Sequence, residues 1–282
     1  MTTRPPNLID PYQPNSARLH SVFLGGKDHY EPDQALAEKL SSSTIRPAVT
    51  ESRRFTRRAV EYLSDHHGVS QFVELGCGLP HTPDIHDIAE QHNSTARTLY
   101  VDSDTVVAAH GRAMLHEPPT RYFTDTDITD TDTILSDITT VMDMAAPVAV
   151  CVSGTAEWSS DAPAVLAALT DRFPAGTWLV LTHVTDEFYP DHIRAAAETL
   201  RRAGIPYHPR GRDEITAMLA GYHLLAPGLI APHRWPPTPS RDDDSDSEIG
   251  DGDGIRRLSA TAPRHRAAWD LSAYAAIGQR QQ

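Results

Sequence analysis

The sequence is poor in cysteine, with only Cys77 and Cys151 among 282 residues. Two thiols cannot build a disulfide framework, so a reducing, cytoplasmic setting is expected. No apolar run approaches the ~20 residues that a membrane-spanning helix needs. The opening stretch MTTRPPNLIDPYQPNSAR lacks the apolar core of a secretion signal, and no export is expected. Lysine is nearly missing, at Lys27 and Lys39 only, and arginine carries the positive charge, a bias found in proteins of GC-rich bacteria. Positive charge is itself scarce: 25 Lys and Arg stand against 38 Asp and Glu, for a net charge of −13. Binding a nucleic-acid backbone rests on clustered basic residues releasing counterions, and no basic stripe is present. The expected partner is a small molecule, with neither nucleic acid nor membrane, and the sequence is silent on oligomeric state. The 15 histidines form no set with metal-ligand spacing, so no metal is expected.

What is present is a pattern that changes near residue 70. Residues 1–15 read as an extended polar arm. Residues 16–68 read as helical: a short segment to Leu24, a break at Gly25–Gly26, a helix near Asp33–Ser42, and a longer amphipathic helix from about Pro47 that Gly68 stops. Beyond them short apolar runs at Gln71–Leu75, Thr98–Val101, Arg121–Thr124, Val148–Val152 and Trp178–Thr182 alternate with helix-length segments. Such alternation predicts a parallel sheet covered on both faces. Tyr222–Leu225 and Leu271–Ile277 supply two more expected strands. The division expected is an arm and helical cap or lid over 1–68, and an α/β domain over 69–282. An acidic stretch near 238–256 is expected to be a solvated, disordered loop.

The most informative segment is Phe72-Val-Glu-Leu-Gly-Cys-Gly78, an apolar strand running into a turn whose glycines let the backbone approach a ligand. A dinucleotide fingerprint needs a third glycine at position 81, and His81 stands there, which argues against NAD or FAD. Glu74 within the motif suits a cationic amino-acid ligand better than a pyrophosphate. The second strand ends in Asp102-Ser-Asp104. A carboxylate at that tip is placed for ribose hydroxyls, and Asp104 is placed to cap the next helix. After the third strand, Asp127 is preferred over Asp125 for an adenine amino group, with Ile128 against the ring.

In order along the chain, these residues resemble class I S-adenosylmethionine (SAM)-dependent methyltransferases. More narrowly, Asn15-Ser-Ala-Arg18, Leu24-Gly-Gly-Lys-Asp28, Arg53-Arg-Phe55, Gln71 to Pro80, Tyr100-Val-Asp-Ser-Asp104 and Leu179-Val-Leu-Thr-His183 resemble an actinobacterial methyltransferase family first catalogued as a domain of unknown function. The resemblance implies a Rossmann-like α/β fold, with a mostly parallel seven-stranded sheet and an N-terminal helical cap. It implies SAM as cofactor, contacted by Glu74, Gly76, Gly78, Asp102 and Asp127. Cys77, Ser103, Ile128 and Ser153 complete the expected cofactor set. The chain departs from the family's pattern at Cys77, at His20-Ser-Val-Phe23 and at Gly154-Thr-Ala-Glu-Trp158.

Methyl transfer from a sulfonium needs mainly proximity and alignment, and a base only where the acceptor carries a proton. Glu157, beside Trp158 after the fourth strand, and His183, ending the fifth, are the candidates for catalysis. Lys27, Asp28 and Tyr30, beyond the Gly25–Gly26 pair, and Trp158 are candidates for a lid or for substrate contact. A methyltransferase acting on oxygen, nitrogen or carbon of an unidentified small molecule, in bacterial secondary metabolism, is the leading expectation. A SAM-fold enzyme with cyclising or rearranging chemistry, and a non-catalytic SAM-binding protein, are the alternatives.

Overall fold

The structure, a computed structural model, describes residues 9–235 and 271–281; the expected acidic loop lies outside them. Three helices come first: α1 (Ser16–Leu24), α2 (Glu31–Lys39) and α3 (Ile45–His67). There follow β1 (Gln71–Leu75), α4 (Ile85–His92), β2 (Arg97–Val101), α5 (Thr105–Met114), β3 (Arg121–Thr124), α6 (Thr131–Val141) and β4 (Ala149–Ser153). A 3-10 turn at Ala156–Trp158 leads to α7 (Ala162–Arg172), β5 (Trp178–Val184), α8 (Pro190–Arg202), α9 (Arg212–Met218), β6 (Tyr222–Leu224) and β7 (Ala273–Arg280). The seven strands form one sheet in the order β3-β2-β1-β4-β5-β7-β6. All pairings are parallel except those of β7, which runs antiparallel to both β5 and β6. This is the expected mostly parallel, seven-stranded α/β architecture.

Alternation along the strands sorts the core into two faces. Val73, Leu75, Leu99, Val101, Val150 and Val152 point to the side covered by α6, α7 and α9. Phe72, Ala149, Cys151, Trp178 and Val180 point to the side covered by α3 and α4. Because helices cover both faces, β1, β4 and β5 are buried along their whole length.

Several boundaries differ from the sequence reading for local reasons. Helix α3 begins two residues before Pro47, which is tolerated in a first turn where no intrahelical N–H bond is required. Helix α4 begins after Pro83, because Asp84 and Asp87 close a capping box. Strand β7 continues past Ile277 to Arg280, since β5 offers it antiparallel partners from Val184 back to Trp178.

The N-terminal helices are joined to the sheet rather than closed on themselves. Leu19, Phe23, Leu36, Ile45 and Val49 share one apolar cluster with Val184, Ile193, Leu200 and Ala273. Arg18 of α1 is buried, with its Nε 2.6 Å from Asp33 Oδ2 and its guanidinium over the Tyr30 ring. Gly25 caps α1 in the left-handed region, φ 82°, and a Cβ on Gly26 would lie 2.2 Å from Ser21 Oγ. A helix stop and a close packing contact thus account for the glycine pair.

A buried ion network ties α3 to the sheet. Arg53, 6% exposed, pairs through Nη1 with Glu74 of β1 and through Nη2 with Asp84 at 2.5 Å. Both carboxylates are buried as well, at 2% and 4% exposure. Removing one member of such a network strands the others without water, at about 3–5 kcal/mol. Arg53→Met is expected to lower the unfolding free energy by about that amount in urea titration; a loss below about 1 kcal/mol would show that water reaches the carboxylates.

Candidate active site

The site forms at the carboxyl ends of the parallel strands, where open α/β sheets place ligands. As β1 ends, the N–H groups of Gly76 and Cys77 both donate to the Val101 carbonyl, at 2.8 and 3.2 Å. The chain thereby turns sharply across β2, with Gly76 and Gly78 each at φ 66°. A Cβ on Gly76 would lie 2.1 Å from Thr155 Cγ2, whereas nothing lies within 4 Å of one on Gly78. The first glycine therefore serves packing, and the second leaves space beside the backbone. Asp102 braces the turn: Oδ2 accepts from Gly78 N–H and Oδ1 from Asp104 N–H, each at 2.9 Å. Thr155, after β4, donates to the carbonyls of Leu75 and Gly76 and holds the turn from the other side.

A cavity of about 350 Å³ opens over this turn. Of the residues expected to hold a cofactor, Gly76, Gly78, Asp102, Ser103, Asp127, Ile128 and Ser153 line it, and so does Trp158. Asp127 and Asp125 are separated by position. Asp127 lines the cavity and its Oδ1 accepts from Thr129, while Asp125 is exposed and pairs with Arg112. Asp104 caps α5 by accepting from Val106 and Val107 N–H, and its second oxygen accepts from Asn15 Nδ2 at 2.6 Å. Burial, chiefly, pushes the Asp102 carboxyl up to about 6, against the pull of its two N–H donors.

Two members of the expected cofactor set stand behind the lining. Cys77 packs against Leu79, Val106 and Val107, and burial raises its thiol well above the ordinary range. Glu74 is engaged by Arg53 through Oε1, but its buried Oε2 has no hydrogen-bond partner. Burial raises the Glu74 carboxyl and Arg53 pulls it back, while the paired Arg53 is held firmly cationic.

The expected lid residues are not brought to the cavity. Lys27 and Asp28 are exposed, and the Asp28 carboxylate stands 3.8 Å from His110 Nε2 on α5. Tyr30 precedes α2 under the Arg18 guanidinium.

The two catalytic candidates also lie outside the lining, and His183 needs correction as a base. It is fully buried, and its Nε2 is 2.8 Å from Arg210 Nη1. Arginine only donates, so Nε2 is the acceptor and Nδ1 carries the proton, donated to the Val184 carbonyl at 2.7 Å. Burial, chiefly, lowers this histidine to about 3. It is a neutral structural acceptor that helps seat Arg210, which also donates to the carbonyls of Ala156, Ser159 and Ser160. Glu157 is 2% exposed behind Gly154; Oε1 accepts from Val184 N–H at 3.3 Å and Oε2 has no partner.

His20 of α1 lines the cavity and escaped the sequence reading. A lone histidine in a short amphipathic helix has no local signature, and its placement depends on how α1 lies over the sheet. Thr155, Arg53 and Arg210 were missed as supports for the same reason, since their partners lie 79, 21 and 27 residues away.

A sheet of this order, with a glycine turn after β1 and a carboxylate at the tip of β2, defines a class I SAM-dependent methyltransferase. The chain belongs to the S-adenosyl methyltransferase family, whose model matches residues 2–278. It is similar to the crystal structure of a family protein of unknown function, DUF574, from Streptomyces avermitilis, with 26% identity over 98% of this chain and 100% of that one, at a TM-score of 0.81. It is equally similar to a candidate methyltransferase from Thermobifida fusca, with 28% identity over the whole of both chains, at a TM-score of 0.80. No curated protein matches the sequence. The protein is thus a SAM-dependent methyltransferase, and S-adenosylmethionine is its cofactor.

The raised pKa of Glu157 has a consequence for stability. Burial lifts it from 4.5 to about 7, so the folded state holds this proton more tightly than the unfolded chain. Its contribution to stability is fully present below pH 4.5 and is lost as pH rises through about 7. Glu157→Gln is expected to be more stable in urea titration than the native protein at alkaline pH, by on the order of 3 kcal/mol, with the gap closing towards acid. A gap independent of pH would place the charged carboxylate in contact with water.

Proposed function

We propose that this enzyme transfers a methyl group to a small-molecule acceptor in bacterial natural-product biosynthesis, working in the cytoplasm. The observation that carries the reading is the cavity's two unlike walls. One wall comes from the carboxyl ends of β1, β2 and β3, and the other from α1 and the segment after β4, with Ser16, His20, Trp158 and Ser159. The first suits a nucleoside, and the second leaves a place for an acceptor. Both cysteines are free, which supports a reducing compartment. No described helix is long and apolar enough to cross a membrane.

The residues present fit the cofactor. Gly78 offers open space at the turn, and the orphaned Oε2 of Glu74 is a buried acceptor suited to the cofactor's ammonium group. Asp102 would hold the ribose hydroxyls, and Asp127 with Ile128 the adenine. When bound, the cofactor supplies an activated methyl on sulfur, so the protein's work is to align the acceptor and exclude water. The turn is already braced by Asp102 and Thr155, which limits the reorganisation that binding requires.

Asp102 tests the first wall. Asp102→Asn, which keeps the shape of the side chain, is expected to weaken SAM binding by about 1.5–3 kcal/mol, the loss of hydrogen bonds to a charged acceptor. Calorimetry on the folded variant measures it, and unchanged affinity would move the ribose contact elsewhere. Incubation with SAM and a panel of acceptors tests the activity through release of S-adenosylhomocysteine. Binding without release for any acceptor would leave a SAM-binding protein.

A further inference from the structure

The methyl acceptor must enter the cavity on the side away from the nucleotide wall, and that side carries one group able to take a proton. His20 sits there on α1, half-buried and lining the cavity. A methyl group added to Gly154 would stand 3.4 Å from His20 Nε2 and 3.9 Å from Glu157 Oε1. Gly154, at φ 66°, therefore lies beside the imidazole, and a methyl there would make ordinary van der Waals contact with the ring. His20 makes no hydrogen bond to the described residues, unlike His183, whose nitrogens are both occupied.

The position of the helix that carries His20 is set by contacts made elsewhere. Asn15 caps α1 by accepting from Arg18 N–H and ties it to Asp104 of the cofactor wall. Arg18 is locked to Asp33 at 2.6 Å, and Leu19, the next residue along, is fully buried. These contacts fix α1, and the imidazole it carries lines the cavity with no hydrogen bond to the described residues, open to a ligand.

We propose that His20 is the general base of the methyl-acceptor subsite, and that the acceptor is a hydroxyl on an aromatic ring laid between His20 and Trp158. This rests on the methyltransferase reading of the same cavity. The acceptor oxygen uses a lone pair to form the new C–O bond to the methyl carbon. The C–S bond breaks with its electron pair going to sulfur, leaving neutral S-adenosylhomocysteine. The hydroxyl proton passes to His20 Nε2 and leaves later to water, so the product is a neutral aryl methyl ether.

The surroundings favour oxygen over nitrogen as acceptor. Around the ring stand Arg53 of α3 and His81 of the β1–α4 loop, Glu157 behind Gly154, and Asp102, Asp104 and Asp127 along the cavity. Burial first, then the Arg53 charge, then His81, hold the imidazole down to about 4. It is therefore neutral and ready to accept at pH 7. A neutral amine attacks through its lone pair and needs no proton removed first, so a base on this wall serves a hydroxyl acceptor. A base of reduced strength suffices, because the hydroxyl becomes far more acidic once the C–O bond begins to form.

The test uses the whole chain loaded with S-adenosylhomocysteine, with phenol as probe and anisole, which lacks the proton, as control. Phenol is expected to shift the His20 imidazole resonance saturably in 15N NMR, and anisole to leave it in place. His20→Gln is expected to keep SAM affinity within about twofold by calorimetry. With methyl-labelled SAM, that variant is expected to form labelled anisole about 100-fold more slowly than the native protein, the effect of losing a general base. No shift with phenol, or equal anisole formation by the two proteins, overturns the proposal. A loss of SAM affinity of about tenfold or more in His20→Gln also overturns it, by placing His20 on the cofactor. Failure of the native protein to bind SAM would instead sink the methyltransferase reading itself.

Discussion

The buried ion network of Arg53, Glu74 and Asp84 is the constraint on which the site depends. It fastens α3 to the glycine-turn strand and to the start of α4, and α3 in turn carries the apolar face that covers half the sheet. Its members cannot be exchanged singly, because each charge is buried and depends on its partners. The network also sets the electrostatics of the cavity. Burial first and Arg53 second lower His20, while Arg53 competes with burial at Glu74 and leaves one oxygen of that carboxylate unpartnered. One guanidinium therefore does both structural and chemical work, and the helix that carries it belongs to the active enzyme as much as the sheet does.

A second constraint runs through α1. Asn15 and Arg18 lie three residues apart, one capping the helix and reaching Asp104, the other locked to Asp33. Asp33 in turn accepts from the N–H groups of Asn15 and Tyr30. These bonds join the chain before α1, the helix itself and the entry to α2 into one piece over the cavity. The Asn15-Ser-Ala-Arg18 and Leu24-Gly-Gly-Lys-Asp28 elements, which sequence reading offered only as a resemblance, thereby acquire physical roles. The first closes α1 over the cofactor wall, and the glycines of the second end the helix where Ser21 leaves no room for a side chain.

Much of this was legible in the sequence because it is local. The strand–helix alternation, the glycine turn, the Asp104 cap and the carboxylates at the tips of β2 and β3 each rest on a few neighbouring residues. Their readings agree with the architecture that folds around them. What was not legible depends on partners far apart in the chain. Nothing near Arg53 in sequence announces Glu74, and nothing near His183 announces Arg210. Lys27, Asp28 and Tyr30 lie away from the cavity. The glycine pair before them is a helix cap at Gly25 and a packing contact at Gly26, which sequence alone does not tell from a hinge.

The fate of the strand-end candidates bears on where the chemistry resides. Ionisable residues at the carboxyl ends of strands in an α/β sheet are natural candidates for catalysis. Here, however, His183 and Arg210 join to hold the segment after β4 through the carbonyls of Ala156, Ser159 and Ser160. Glu157 is folded behind Gly154 in the same support. Their product is a rigid seat for Trp158, whose indole N–H donates to the Gly154 carbonyl at 2.7 Å. Strand ends thus build the wall, and the reactive group facing it arrives from α1, outside the sheet. A class of enzymes that needs little more than alignment from its sheet can place its acceptor chemistry on a separate helix, and different helices over one sheet would then serve different acceptors.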